Sequence, residues 1–106
     1  MCAQPTVVRI LVIRPWTVSE TPLRAALQRA GMAVEITRVD IEPAVNAALM
    51  RRSYDVIVLD PATPTVTRED VEACLRAQQL RIPVVELRAV ESLADDLQQA
   101  FANRLN

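Results

Sequence analysis

The chain predicts a single α/β domain: a doubly wound, open parallel sheet of four strands in the order 2-1-3-4. Two hydrophobic periods alternate along its 106 residues, continuous apolar runs giving way to helical i, i+3, i+4 spacing. Short connections join the segments, and β-α alternation with short connections favours a parallel sheet covered on both faces. The apolar runs at residues 7–13 and 56–59 carry no internal charge apart from Arg9, as strands buried on both faces do.

The first element is the strand at 7–13. Residues 21–30 follow as a helix, with Leu23, Ala26, Leu27 and Ala30 on one side, Pro22 at the first helical position and Gly31, the one glycine of the chain, as its C-terminal cap. Val34, Ile36 and Val39 alternate with Glu35, Thr37 and Arg38 as a half-exposed edge strand. Asp40 is placed to cap the second helix, whose stripe is Ile41, Val45, Ala48 and Leu49. The third strand, Val56–Leu59, ends in Asp60. Thr67 and Asp70 are spaced as a capping box for a third helix with Val71, Cys74, Leu75 and Leu80 inward. Residues 82–87 form a fourth strand, and Leu93, Leu97, Phe101 and Leu105 stripe a last helix.

Right-handed crossovers put the first helix on one face of the sheet and the second and third on the other. The first face is then bare over strands 3 and 4, and either the last helix or a partner must cover it. Strands 2 and 4 are the edges. Glu86 and Arg88 charge strand 4 and discourage unwanted pairing there.

Composition narrows the chemistry. All 12 basic residues are arginine, with no lysine and no histidine. This removes the usual general base, the commonest zinc ligand and any catalytic lysine. A net charge of −1 gives no field for nucleic acid or an anionic membrane, and no run is long enough to span a bilayer. There is no glycine-rich loop, so no nucleotide turn is expected, and no cofactor or metal set is read from the residues. Cys2 and Cys74 make no disulfide framework; Cys74 falls on an apolar helix face as a buried, inert thiol. A reducing cytoplasm and no secretory leader fit this composition.

The most informative segment is Asp60-Pro61-Ala62-Thr63-Pro64 after its buried strand, because open α/β sheets place their chemistry at the carboxyl ends of strands. With Pro64 four residues beyond Asp60, and with Ile82-Pro83-Val84-Val85-Glu86-Leu87-Arg88-Ala89 as a fourth strand, the chain resembles the receiver domain of bacterial two-component response regulators, a flavodoxin-like fold, over residues 7–89. The resemblance implies that Asp60 stands at the phosphoacceptor position. It also implies departures. Arg14 and Pro15 stand where the family's two magnesium-holding acids would be, and Arg88 where its Thr or Ser would be. The family's lysine has no counterpart, and the chain is too short after Ala89 for the fourth helix and fifth strand. The implied molecule is a degenerate, or pseudo-, receiver: a shortened domain, non-catalytic, not phosphorylated, that binds a protein partner or itself, with an output domain in cis downstream.

Three readings of Asp60 follow: a phosphoacceptor, a salt bridge to Arg14 or Arg88 in place of the metal, or a solvated loop acid. Glu86 and Arg88, two apart on a strand, can instead pair with each other. Trp16 either anchors a partner or caps the core. An alternative function is a phosphocarrier resembling the IIB components of the sugar phosphotransferase system. Those place a nucleophilic cysteine at the end of strand 1, where this chain has Arg14-Pro15-Trp16.

Overall fold

The computed structural model describes residues 7–105, with side chains as far as Ala102; Cys2 and the side chain of Leu105 lie outside the described residues. The element order is β1 (Val8–Ile13), α1 (Thr21–Arg29), β2 (Val34–Val39), α2 (Glu42–Arg51), β3 (Val56–Leu59), α3 (Arg68–Ala77), β4 (Val84–Glu86), a 3-10 turn (Val90–Ser92) and α4 (Leu93–Leu105). The four strands form one parallel sheet in the order β2-β1-β3-β4, as the sequence predicts.

Apart from the exposed Arg9 near the start of β1, the two central strands are apolar on both sides because both sides are covered. Ile10, Val12, Val56 and Val58 meet Leu23 and Leu27 of α1 and Leu93 and Leu97 of α4. Leu11, Ile13, Ile57 and Leu59 meet Val45 and Leu49 of α2 and Val71, Cys74 and Leu75 of α3. The last helix therefore takes the face that the crossovers leave bare. Leu93 and Leu97 are fully buried there, and Phe101 packs against the same cluster.

The helix ends explain several local differences from the sequence reading. Gly31, at φ +82°, closes α1 with Gly31 N–H donating to Gln28 C=O at 3.0 Å and Met32 N–H to Leu27 C=O at 3.0 Å, a Schellman cap. The end of α3 repeats this with Gln79 at φ +58°: its N–H donates to Arg76 C=O at 3.1 Å, and Leu80 N–H to Leu75 C=O at 2.9 Å. Leu80 thus reaches the core from the cap rather than from the helix, which stops at Ala77. Thr67 and Asp70 form the reciprocal capping box. Asp40 does not cap α2: Ile41 is the N-cap, without a side-chain cap bond, and Asp40 C=O accepts from the Thr65 hydroxyl. Ile41 is exposed, not part of the buried stripe. Pro22 lies in the first turn of α1, one place after Thr21.

Strand 4 is shorter than expected, three residues rather than six. This decides where its charges go, because the period-2 alternation that would put Glu86 and Arg88 on one face holds only inside a strand.

Candidate functional site

The carboxyl edge of the sheet is built by register. Ile13 and Leu59 are partners in the β1–β3 ladder, so the next residues, Arg14 and Asp60, are neighbours as the two chains leave the sheet. Asp60 N–H donates to Ile13 C=O at 2.8 Å and fixes the carboxylate there. Arg14 Nε then donates to Asp60 Oδ2 at 3.2 Å, with the two side chains 11% and 13% exposed. Ala62 N–H donates to Asp60 Oδ1 at 2.9 Å, an Asx turn for which the Asp60-Pro61-Ala62 sequence is suited. Both carboxylate oxygens are therefore engaged, one by a charged donor and one by backbone. Thr63 closes the turn from below: its N–H donates to Asp60 C=O at 3.0 Å and its hydroxyl to Ile13 C=O at 3.4 Å.

The second end of Arg14 holds the loop after β1. Its Nη1 donates to Ser19 C=O at 2.8 Å. A second arginine, Arg38 at the end of β2, donates from Nη2 to Pro15 C=O and lies 5.2 Å from the centre of the Trp16 ring, within cation–π range. Arg38 Nε is buried and has no hydrogen-bond partner among the described residues. The loop is thus tied by two guanidinium groups, and Trp16, 77% exposed, stands out from it. That exposure rules out Trp16 as a cap on the core.

Arg88 is not part of this cluster. Its Nη2 donates to Asp96 of α4 at 2.9 Å, and Glu86 pairs instead with Arg68 of α3 at 3.8 Å. The expected alternatives, Arg88 with Asp60 or with Glu86, are both replaced: strand 4 ends at Glu86, so the two charges diverge to opposite faces. Sequence reasoning also missed Arg38. The parity of β2 held the signal, since Val34, Ile36 and Arg38 share the α1 face while Val39 packs with α2 and α3. Just after α2, Arg52 pairs with Glu35 at 2.8 Å.

Burial pushes the Cys74 thiol above its ordinary pKa, with the nearby Glu42 and Asp70 carboxylates adding to the effect. It is held protonated. Among the described residues, no three His, Cys, Asp or Glu side chains are grouped to hold a metal ion.

The fold, a parallel sheet in the order 2-1-3-4 flanked by helices, matches solved receiver domains. The signal receiver domain of a protein described as a Luxo repressor, from Vibrio parahaemolyticus, superposes with a TM-score of 0.66 at 15% identity, over 94% of this chain and 97% of that one. The fold is receiver-like. The receiver domain of sensor histidine kinase PA1611 from Pseudomonas aeruginosa PAO1, which has a magnesium ion coordinated in its active-site cleft, gives 0.61 at 23% identity over 90% of this chain and 80% of that one. The signal receiver domain of response regulator NarL from Mycobacterium tuberculosis gives 0.60 at 21% identity, over 91% and 79%. No protein-family model and no curated protein matches the chain. Among the described residues the receiver-like sheet has four strands, fewer than the five-stranded receiver domain.

Proposed function

We propose that the chain is a non-catalytic signalling module, a degenerate receiver that works by binding protein rather than by accepting phosphate. The observation that carries this reading is the Arg14–Asp60 pair. A carboxylate that attacks phosphorus needs a free oxygen and a cation to neutralise the incoming charge. Both Asp60 oxygens are bonded, and the nearest cation is a guanidinium fixed to the acid itself. Arg14 stands where the resembled family holds its metal with acids. A hard cation needs several oxygen ligands and is repelled by a positive charge at that position.

Two features support binding as the role: Trp16 on its doubly tied loop, and the edge of β4, with which no strand pairs among the described residues. A rigid exposed tryptophan loses little entropy on docking and is favoured at interface hot spots. The partner is a protein or a second copy of the chain, in the cytoplasm, with an output domain in cis. Neither the net charge of −1 nor any helix among the described residues, none of which is long and apolar enough to cross a membrane, favours nucleic acid or a bilayer.

Incubation with a small phosphodonor and Mg²⁺, followed by intact mass measurement, tests the reading. The mass is expected to stay unchanged. A gain of one phosphoryl group, absent in Asp60→Asn, would establish the phosphoacceptor reading instead. A gain at another residue would favour the phosphocarrier.

A further inference from the structure

Both faces of the sheet are covered, but among the described residues no strand pairs with the outer edge of β4. The ladder to β3 begins with Ile57 N–H donating to Pro83 C=O at 3.0 Å and ends with Leu87 N–H donating to Leu59 C=O at 2.8 Å. Alternation along a parallel ladder assigns the bonds between them to Val85, whose partner is Val58. The N–H and C=O groups of Val84 and Glu86 therefore point away from β3, along the open edge. The charged side chains are drawn off that lane, Glu86 to Arg68 on one face and Arg88 to Asp96 on the other. A cleft of about 350 Å³ runs beside it, between Val84 and Val85 of the strand and Asp96, Gln99 and Ala100 of α4.

We infer that this edge pairs with the same edge of a second copy of the chain, β4 to β4, antiparallel about a two-fold axis at Val85. The inference rests on the reading of the chain as an interaction module. A two-fold interface must be self-complementary, and the outward residues fix the register. Val84 lies opposite Glu86 of the partner subunit, and Glu86 opposite Val84 of the partner subunit. Each such pair exchanges both of its backbone hydrogen bonds, so the axis relates two identical doubly bonded pairs. Val85 falls in the closely spaced pair with Val85 of the partner subunit on the α4 face, where side chains are nearest.

Charge selects a second copy over a charged peptide. The lane is flanked by two acids, Glu86 and Asp96, and two bases, Arg68 and Arg88, already paired. It offers no net charge to a peptide of either sign. Around the axis, however, each Glu86–Arg68 pair lies on the same face as its symmetry mate, and because each acid is already paired with a base, the two edges meet without net repulsion. The product is one continuous sheet running through both protomers.

Light scattering and sedimentation of the full chain over a wide concentration range test this. A reversible dimer is expected. Val84→Pro is the informative variant, because it removes an N–H that the β3 ladder does not use. It should keep the protomer's circular dichroism and raise the dimer dissociation constant by about a hundredfold. Hydrogen exchange of the unmodified chain gives an independent readout: the Val84 and Glu86 amides should gain protection as concentration rises. A monomer at every concentration overturns the inference, as does a dimer in which these two amides stay unprotected or which Val84→Pro leaves intact. None of these outcomes bears on phosphoryl acceptance, so the interaction-module reading stands or falls separately, by the mass measurement.

Discussion

Arg14 does two jobs with one guanidinium: Nε neutralises Asp60, and Nη1 ties the loop at Ser19. Removing either partner leaves a largely buried charge short of a counter-ion. Arg14→Ala should therefore cost about 1–3 kcal/mol of stability, and Asp60→Asn about 1–2 kcal/mol. Denaturant titration of both single variants and the double variant should give a coupling of about 1 kcal/mol; additive effects would show that the two groups stand apart. Cys74 supplies a pH prediction. Its folded pKa lies above the unfolded value, so the folded state holds the proton longer. Stability is full below the unfolded thiol pKa and falls as pH rises through that value toward the folded one. Thermal melts should fall on this alkaline limb, and Cys74→Ala should flatten it. The position of Asp60 was legible in the sequence because a buried run ends there. Its pairing with Arg14 rather than Arg88 was not, because that choice depends on where β4 stops.

Element boundaries followed the chemistry of caps more than the period of the apolar residues. The Thr67–Asp70 box was readable because both partners announce themselves three residues apart. Asp40 misled because it has the composition of a cap, yet the helix begins two residues later, with Pro43 in its first turn. The α3 terminus shows the opposite case, a left-handed position filled by Gln79 where glycine is preferred. Gln79 keeps the same bond pattern as Gly31 but carries the Cβ penalty. Gln79→Gly is expected to stabilise the chain by about 0.5 kcal/mol, seen as a raised denaturation midpoint at unchanged slope. A destabilised variant would mean that the Gln79 side chain contributes more than its backbone strain costs. Strand 4 was overestimated for a related reason: residues 82–87 have strand composition, but only Val84–Glu86 pair regularly with β3.

At the scale of the whole molecule, the topology was legible because right-handed crossovers leave one bare face, over β3 and β4, for α4 or a partner to cover. That helix covers the β3–β4 half of the sheet through Leu93 and Leu97. Leu97→Ala should cost about 2–4 kcal/mol and unfold the molecule in a single transition, since the deleted side chain belongs to a core shared with α1. A separate early transition would instead mark α4 as an independent unit. What the sequence could not fix was the electrical state of the carboxyl edge, because long arginine side chains choose partners across elements rather than along them. The proposal that Arg14 stands in for a cation and closes Asp60 to metal concerns that edge. Paramagnetic broadening by Mn²⁺, read on the backbone amides from Ile13 to Thr63, tests this most directly. No broadening centred on Asp60 is expected in the unmodified chain at millimolar Mn²⁺. Saturable broadening centred on Asp60, Pro61's neighbour Ala62 and Thr63 would contradict it.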